Sequence, residues 1–287
     1  MKLVRFGMPG EERPGVIDGD GRIRDLSGHV EDIASDALSD ENLRRLAALD
    51  AASLPLAPAN VRIGPCVGRV GKMICVGLNY SDHAAESNMA VPTEPVLFMK
   101  ATSAIVGAHD DVEIPPGAEK VDWEVELGVV IGREARYVSR ERALEYVAGY
   151  CVVNDVSERA YQLERGGQWD KGKGCDTFGP LGPWLVTRDE VPDPQSLRLW
   201  LAVDGKRYQD GSTRTMIFDV ATLVSYISQF MSLQPGDVIS TGTPPGVGLG
   251  QKPEPVFLRA GQTMRLGIDG LGEQQQRTVA ARIPEAR

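Results

Sequence analysis

The segment DWEVELGVVIG, residues 122–132, carries two glutamates inside a pattern that predicts a β-strand. Glu124 and Glu126 are two residues apart, so their side chains point to the same face of the strand. One interpretation is a solvated face. The continuation LGVVIG is apolar on both faces, however, which predicts a strand buried from both sides. Because two buried like charges are costly without a compensating cation, we interpret the pair as part of a divalent-metal site.

A third carboxylate, Asp155, closes the apolar run CVVNDV just before a helical pattern begins. Taken alone, an aspartate at such a boundary is typical of a helix N-cap. Taken with the two glutamates, it completes a set of three acidic side chains. Hard cations prefer oxygen ligands, and Mg²⁺ keeps part of its water shell, so the trio predicts a site for Mg²⁺ or Mn²⁺.

Polar residues that could contact a ligand follow this trio. Arg159 and Gln162 lie on one face of the helix predicted over SERAYQLERGG. Lys171 and Lys173 fall in the glycine-rich WDKGKGCDTFGP, which predicts a mobile loop, and the alternative for both is ordinary solvated charge. The turn ISTGTPPGVG could present Thr243 and backbone N–H groups to a small anion.

The segment SDHAAES offers a general base. If it forms a helical turn, His83 and Glu86 lie on one face, where the carboxylate can orient the imidazole and support its charged form. A Ser-His-Asp triad from residues 81–83 is not expected, because sequence neighbours cannot adopt that geometry and the chain has no G-x-S-x-G motif.

These residues must be positioned by a β-rich domain. From residue 71 onward strand patterns dominate without regular strand–helix alternation, which favours a mixed or antiparallel β architecture over a doubly wound sheet. Helices are predicted at SDHAAES, SRERALEYVA, SERAYQLERGG and FDVATLVSYISQFM. The first 65 residues differ, with short strands, Asp-Gly turns, a helix capped by Asp40 and a proline-rich linker. We expect a small α+β N-terminal domain at 1–68 and a mainly β catalytic domain at 69–287.

Composition limits the partners. The 287 residues are 42% hydrophobic, enough for a large core, and the formal charge of −9 argues against nucleic acid, whose phosphates attract basic proteins. No apolar run is long enough for a membrane span, and the N-terminus has no signal-peptide core, which predicts a cytoplasmic protein that does not enter a membrane. The 4 cysteines are too widely spaced for a zinc ribbon, and 3 histidines leave carboxylates as the metal ligands.

Five motifs occur along the chain in the order typical of one protein family. Over residues 70–275 the chain resembles the fumarylacetoacetate hydrolase family, through GLNYSDHAAE, the Glu-Val-Glu strand, NDVSERAYQ, KGKGCDTFGP and STGTPPGVG. The resemblance implies a β-roll of mixed sheets, a homodimer and an active site at a carboxylate-held metal. It assigns Glu124, Glu126 and Asp155 as metal ligands, His83, Glu86 and Lys173 as catalytic residues, and Arg159, Gln162 and Thr243 as substrate contacts.

Two features separate this chain from the mammalian fumarylacetoacetase. The segment CVGLNY lacks the further acidic ligand that the mammalian enzyme has upstream of its histidine, and Glu86 is local where that enzyme uses a distant glutamate. The N-terminal module and RGGQWDKGKGCDTFGPLGPWLVT are most similar to bacterial 2,4-diketo-3-deoxy-L-rhamnonate or L-fuconate hydrolases, some of which are labelled ureidoglycolate lyase.

The implied activity is hydrolysis of a carbon–carbon bond in a ketonic substrate. Such an enzyme would split a 2,4-dioxo acid into pyruvate and a second acid, which is lactate for the sugar-acid substrates. Within the family the alternatives are acylpyruvate hydrolase, oxaloacetate decarboxylase and 2-hydroxyhepta-2,4-diene-1,7-dioate isomerase, and ureidoglycolate lyase is a further one. Outside it, the alternative is a non-catalytic scaffold that binds small acids.

Overall fold

Strands dominate the computed structural model, which describes residues 1–82 and 91–283. The strands are β1 (Lys2–Phe6), β2 (Arg13–Ile17), β3 (Ile23–Asp25), β4 (Met73–Gly77), β5 (Val96–Lys100), β6 (Ile105–Gly107), β7 (Val112–Ile114), β8 (Val121–Asp122), β9 (Val125–Ile131), β10 (Val147–Asn154), β11 (Ser157–Glu158), β12 (Gly179–Thr187), β13 (Arg198–Val203), β14 (Lys206–Ser212), β15 (Val238–Ser240), β16 (Thr263–Ile268) and β17 (Gly272–Ala280). The α-helices that lie wholly within these ranges are α1 (Asp40–Ala47), α2 (Arg159–Leu163), α3 (Asp170–Lys173) and α4 (Val220–Ile227).

Two larger sheets form the frame. A ten-stranded sheet has the order β3-β2-β1-β12-β10-β9-β15-β4-β5, with β6 also paired to β12. A five-stranded sheet has the order β14-β13-β16-β17-β7, and β11 and β8 form a separate short pair. Parallel pairs, such as β15 with β4, occur beside antiparallel pairs, such as β9 with β10. The mainly β fold with few helices is therefore confirmed.

Strand β9 lies at the centre of this arrangement and is buried along its whole length. Its alternate residues Val125, Leu127, Val129 and Ile131 belong to the larger hydrophobic core, which also contains residues of the five-stranded sheet. The opposite face carries Glu126 and then, further along, an apolar residue of a second core. The prediction of a strand buried from both sides is confirmed, with Glu126 on one face of it, but Glu124 lies just before the first residue of β9 and not within the strand.

The N-terminal strands extend the large sheet. Leu3 of β1 pairs with Leu185 of β12, and both side chains belong to the second core. The predicted domain boundary at residue 68 stays a prediction. In the described ranges, no helix is long and apolar enough to cross a membrane.

Three local predictions differ from the structure. Helix α1 is capped by Ser39, whose hydroxyl accepts a hydrogen bond from the Asn42 amide, and Asp40 is the first helical residue. The pattern SRERALEYVA forms a 3₁₀ segment at Arg140–Tyr146 and then enters β10, where pairing with β9 determines the conformation. The glycine-rich lysine segment contains α3 where a loop was predicted.

Candidate metal centre and active site

The three carboxylates predicted as metal ligands lie together in the structure. One oxygen from each of Glu124, Glu126 and Asp155 falls within 4.8 Å of the others, and all three side chains are buried. Antiparallel pairing of β9 with β10 places Val125 opposite Asn154, so Asp155 follows next to Glu124. The Asp155 amide donates to the Glu124 carbonyl at 2.9 Å, which fixes the two segments at this point.

Glu124 is paired with two buried cations. Its Oε2 accepts from Lys173 Nζ at 2.6 Å, and its Oε1 accepts from Arg159 Nη2 at 2.6 Å. Burial alone would raise the pKa of Glu124, but Lys173 and Arg159 outweigh it and lower that pKa to about 2. Glu124 is therefore ionised throughout the physiological range.

Asp155 lies between two lysines. Lys173 Nζ donates to its Oδ2 at 2.8 Å, and Lys100 Nζ donates to its Oδ1 at 2.5 Å and to the Val156 carbonyl at 2.9 Å. The N-cap interpretation of Asp155 is wrong, because Glu158 caps α2 through the Ala160 amide. Lys100 was not predicted from the sequence, although a lysine that ends the apolar strand PVLFMK is an unusual residue for a buried position.

Glu126 has neutral partners. Its Oε2 accepts from Ser240 Oγ at 2.6 Å and from the Gly242 amide at 2.9 Å. Within the described ranges no lysine or arginine forms an ion pair with it, although it is only 2% exposed. Burial, Asp155 and Glu124 together raise its pKa well above the ordinary value. A divalent cation beside Glu126 would supply the positive charge that this carboxylate lacks, so the donor set fits a hard metal ion.

Asp122 connects Arg159 to the loop beside the site. Its Oδ2 accepts from Arg159 Nε at 2.8 Å and from the Leu249 amide at 3.0 Å, and its Oδ1 accepts from the Gly248 amide at 2.6 Å. The sequence held a signal for this role, because Asp122 precedes Glu124 by two residues and continues the same alternation. Asp122 is nevertheless absent from the site residues predicted above.

Arg159 and Gln162 form one hydrogen-bonded unit. Arg159 Nη1 donates to Gln162 Oε1 at 3.0 Å, so their placement on one face of a helix is confirmed. Burial opposes the charge of Arg159, but Asp122 and Glu124 outweigh it and raise its pKa further. Its guanidinium is already engaged by three side chains and serves chiefly to orient them.

Lys173 is held by a short helix and is not on a mobile loop. It is the last residue of α3 and only 2% exposed, whereas Lys171 is exposed and donates to the Arg165 carbonyl. Burial would lower the pKa of Lys173, but Asp155 and Glu124 outweigh it and raise that pKa, so the ammonium stays protonated. Of the two lysines in this segment, only Lys173 reaches the carboxylates.

Thr243 lines the site with its hydroxyl engaged. Its Oγ1 donates to the Val125 carbonyl at 2.9 Å and accepts from Gln209 Nε2 at 2.8 Å. The turn that carries it contributes the Gly242 amide to Glu126. The Gly242 N–H group therefore donates to a carboxylate of the protein. Binding of a ligand anion by this turn stays a prediction.

A cavity of ≈ 340 Å³ opens above the carboxylates. Glu124, Glu126, Arg159, Gln162, Lys173 and Thr243 line one part of it, and its remaining lining is largely apolar. The volume is within the range of small-molecule sites. Six of the nine predicted site residues therefore border a single cavity, and Asp155 lies behind them.

His83 and Glu86 lie outside the described residues. The chain is described up to Asp82 and resumes at Val91. Their assignment as a catalytic pair stays a prediction from the sequence.

Comparison with known proteins identifies the family. Residues 72–279 match the model "Fumarylacetoacetate (FAA) hydrolase C-terminal". The chain belongs to the fumarylacetoacetate hydrolase family. A Burkholderia multivorans protein with only a provisional name as a hydrolase is 69% identical over 282 residues, which are 98% of this chain and 100% of that protein.

Solved structures of the family share this fold over nearly the whole chain. The fumarylacetoacetate hydrolase of Exiguobacterium antarcticum has a TM-score of 0.84 and 38% identity, covering 98% of this chain and 100% of that one. The 2-hydroxyhepta-2,4-diene-1,7-dioate isomerase of Mycobacterium marinum has a TM-score of 0.75 and 33% identity, covering 98% of both chains.

A third family structure contains ligands. The maleylpyruvate hydrolase of Sphingobium sp. SYK-6, in complex with manganese(II) ion and pyruvate, has a TM-score of 0.80 and 32% identity, covering 98% of this chain and 100% of that one. The family and its relatives support an enzyme, and the carboxylate cluster of this chain is consistent with metal binding.

Proposed function

We propose that this protein is a metal-dependent hydrolase that cleaves the carbon–carbon bond of a 2,4-dioxo acid. The observation that carries the proposal concerns Glu126, a buried carboxylate beside Glu124 and Asp155. Among the residues that the structure describes, no lysine or arginine forms an ion pair with it. Three carboxylates at the floor of a small cavity are a donor set for Mg²⁺ or Mn²⁺. The Mn²⁺ and pyruvate in the related maleylpyruvate hydrolase structure support the same assignment.

The metal would be held by Glu124, Glu126 and Asp155. When bound, it would polarise the carboxylate and 2-oxo oxygens of the substrate and favour negative charge on them. The chain's own residues keep this site fixed. Lys100 and Lys173 hold the two Asp155 oxygens, and Ser240 with the Gly242 amide hold Glu126, so little reorganisation accompanies binding.

Lys173 is the proposed hydrogen-bond donor to the substrate. Its ammonium borders the cavity and stays protonated because Asp155 and Glu124 stabilise the charge. A protonated donor in a buried site stabilises an oxyanion that develops at the C4 carbonyl more strongly than an exposed one would. Gln162, fixed through its carbonyl oxygen by Arg159, is the second donor, and Thr243 completes the polar lining.

His83, oriented by Glu86, is the proposed general base. It would take a proton from a water molecule that adds to C4, after which the C3–C4 bond breaks and its electron pair remains with the C1–C3 fragment. That fragment takes a proton at C3 and leaves as pyruvate, and C4 becomes the carboxyl carbon of the second acid. The water oxygen thus appears in the second acid.

The sequence resemblance narrows the substrate further. We infer 2,4-diketo-3-deoxy-L-rhamnonate or L-fuconate, with pyruvate and lactate as products, in a cytoplasmic homodimer without nucleic-acid or membrane partners. The motif RGGQWDKGKGCDTFGPLGPWLVT supports the substrate, and the net charge of −9 supports the lack of nucleic acid.

Isomerisation of an unsaturated oxo acid is the second candidate. The Mycobacterium marinum structure named as an isomerase shares 33% identity with this chain over nearly its whole length. Both reactions need negative charge stabilised on a 2-oxo acid, so the same carboxylates and Lys173 would serve either. Release of pyruvate distinguishes them, because an isomerase conserves the carbon skeleton.

Two substitutions test the proposal. Glu124→Gln removes a ligand and a carboxylate that pairs with both Lys173 and Arg159, so Mn²⁺ binding measured by titration calorimetry and pyruvate release should both be lost. His83→Ala should retain Mn²⁺ binding and lower kcat by about 10²–10⁴-fold. Full activity in both variants would exclude the proposed mechanism.

A further inference from the structure

The cavity also has an apolar wall, which we define as Phe98, Leu163, Trp169, Val247 and Leu249. Glu124, Glu126 and Lys173 line the same cavity and would bind the 2-oxo acid end of a substrate. The wall is then the surface left to contact the group attached to C4. We propose that this wall selects substrates whose C4 group ends in a methyl or other apolar group, against those that end in a carboxylate or hydroxymethyl group. The inference rests on the proposed function and names its substrate class.

The aromatic part of the wall is built into the fold. The rings of Phe98 and Trp169 meet edge to face with centroids 5.4 Å apart. Trp169 lies against Gly77, where an added Cβ would come within 2.5 Å of the indole, so glycine is required for this placement. The Met99 amide donates to Asp170 Oδ1 at 3.2 Å and ties strand β5 to helix α3.

The wall is also tied to the charged part of the site. Lys173 Nζ lies 5.0 Å from the centroid of the Phe98 ring, within the range of a cation–π contact. Phe98 and Lys100 are two residues apart on β5, so one strand supplies both a wall residue and the lysine that bonds Asp155. The distance between the apolar and charged parts is therefore fixed by strand geometry.

The polar groups near the wall are poorly suited to a second carboxylate. The Arg159 guanidinium is engaged by Asp122, Glu124 and Gln162. The Thr243 hydroxyl already donates to a backbone carbonyl. Lys252 borders the cavity but is exposed, where water and salt screen its charge. A terminal carboxylate or hydroxyl would lose water against the wall without an equivalent partner, whereas a methyl group gains from the same contact.

Two matched substrates test the inference with the Mn²⁺-loaded protein. 2,4-Dioxoheptanoate and 2,4-dioxoheptanedioate have equal chain lengths and differ in a terminal methyl or carboxylate. The methyl-terminated acid should be hydrolysed with a kcat/KM at least about tenfold higher. Leu249→Gln should reduce this ratio at least threefold. Leu144→Gln, a leucine of similar exposure away from the cavity, should leave it unchanged.

Binding gives a second measurement that does not need turnover. By titration calorimetry, 2-oxohexanoate should bind the Mn²⁺-loaded protein more tightly than 2-oxoadipate, and Leu249→Gln should narrow the difference. Binding of 2-oxoadipate that is as tight as or tighter than that of 2-oxohexanoate would overturn the inference. So would a higher kcat/KM for 2,4-dioxoheptanedioate than for 2,4-dioxoheptanoate, if Lys252→Met abolishes that advantage. If neither dioxo acid yields pyruvate, the proposed function fails, and the binding pair still decides whether the wall prefers an apolar end.

Discussion

Lys100 is the residue that holds Asp155 from the side opposite Lys173. Both side chains of the Lys100–Asp155 pair are fully buried, and the ammonium also donates to the Val156 carbonyl. Lys100→Met would leave the Asp155 carboxylate with one cation fewer in a dry environment. We expect the free energy of unfolding to fall by about 3–5 kcal/mol, measured by urea denaturation of the metal-free protein.

The matched control is Lys120→Met. Lys120 also pairs with a glutamate, Glu164, but the Lys120 side chain is 38% exposed and that of Glu164 is 57% exposed, so water screens the pair and the stability should change little. If the two variants lose the same stability, Lys100 does not have the structural role assigned to it.

Glu126 should make metal binding depend on pH. Its raised pKa means that the folded, metal-free protein holds a proton there at pH values where the unfolded chain has released it. The contribution of Glu126 to the free energy of unfolding is therefore greatest at low pH. It is lost as the pH rises through the pKa that Glu126 has in the folded protein. A metal ligand must be deprotonated, so Mn²⁺ binding should release a proton and strengthen as pH rises.

Calorimetric titrations in two buffers of different ionisation enthalpy measure that proton. The number of protons released per bound Mn²⁺ should fall as the pH rises, because Glu126 is then increasingly ionised before the metal binds. Proton release that does not change with pH would assign the proton to another group.

The sequence predicted the carboxylate trio because strand alternation and a buried segment are local signals. Glu124 and Glu126 share a face by geometry alone, and Asp155 ends the next strand pattern. The cations were harder to predict. Lys100 reaches Asp155 across 55 positions of sequence, and β9, β15 and β4 lie between β5 and β10 in the strand order, so the tertiary structure and not a direct strand pairing brings the two side chains together. No local pattern encodes such a contact.

Helix α3 places Lys173, and a glycine allows it to approach α2. A Cβ on Gly172 would lie 2.3 Å from the Glu158 carbonyl oxygen and 2.6 Å from the Gln162 backbone nitrogen. Both are backbone atoms that cannot move aside cheaply. Gly172→Ala should therefore separate the two helices, lower stability by about 1–3 kcal/mol in thermal or urea unfolding, and weaken Mn²⁺ binding.

Gly19→Ala is the corresponding control, because nothing lies within 4 Å of its added Cβ. Its stability should stay within about 0.5 kcal/mol of the unmodified protein. Wild-type stability and Mn²⁺ affinity in Gly172→Ala would contradict the close packing described here.

The sequence predicted secondary structure correctly where the apolar pattern was long. The prediction was wrong where tertiary contacts determine the local conformation. The segment SRERALEYVA has a helical pattern, yet Val147 already belongs to β10 because it pairs with Ile131. The glycines of WDKGKG predicted a loop, but Gly172 is needed for contact between helices. Glycine indicates conformational freedom or close approach, and the sequence alone does not distinguish them.

At the scale of the whole molecule, the two parts predicted from the sequence share a core. Leu3, Leu26 and Leu38 of the first 68 residues pack in one cluster with Val130 and Leu185 of the remainder. We therefore expect a single cooperative unfolding transition. Tryptophan fluorescence reports only on the later part, since the first tryptophan is Trp123, whereas far-ultraviolet circular dichroism reports on both. Their midpoints should coincide, and two separated midpoints would show that the parts unfold independently.

The measurement that tests the central claim most directly is pyruvate release from 2,4-dioxo acids by chelated and metal-reconstituted protein. The panel should contain 2,4-diketo-3-deoxy-L-rhamnonate, which is the same compound as the L-fuconate derivative because only the C5 stereocentre remains, and simple acylpyruvates, with pyruvate detected by lactate dehydrogenase. We predict that one pyruvate forms per molecule consumed when Mg²⁺ or Mn²⁺ is added, and that none forms after chelation. Equal rates with and without metal, or substrate consumption without pyruvate, would contradict the proposed function.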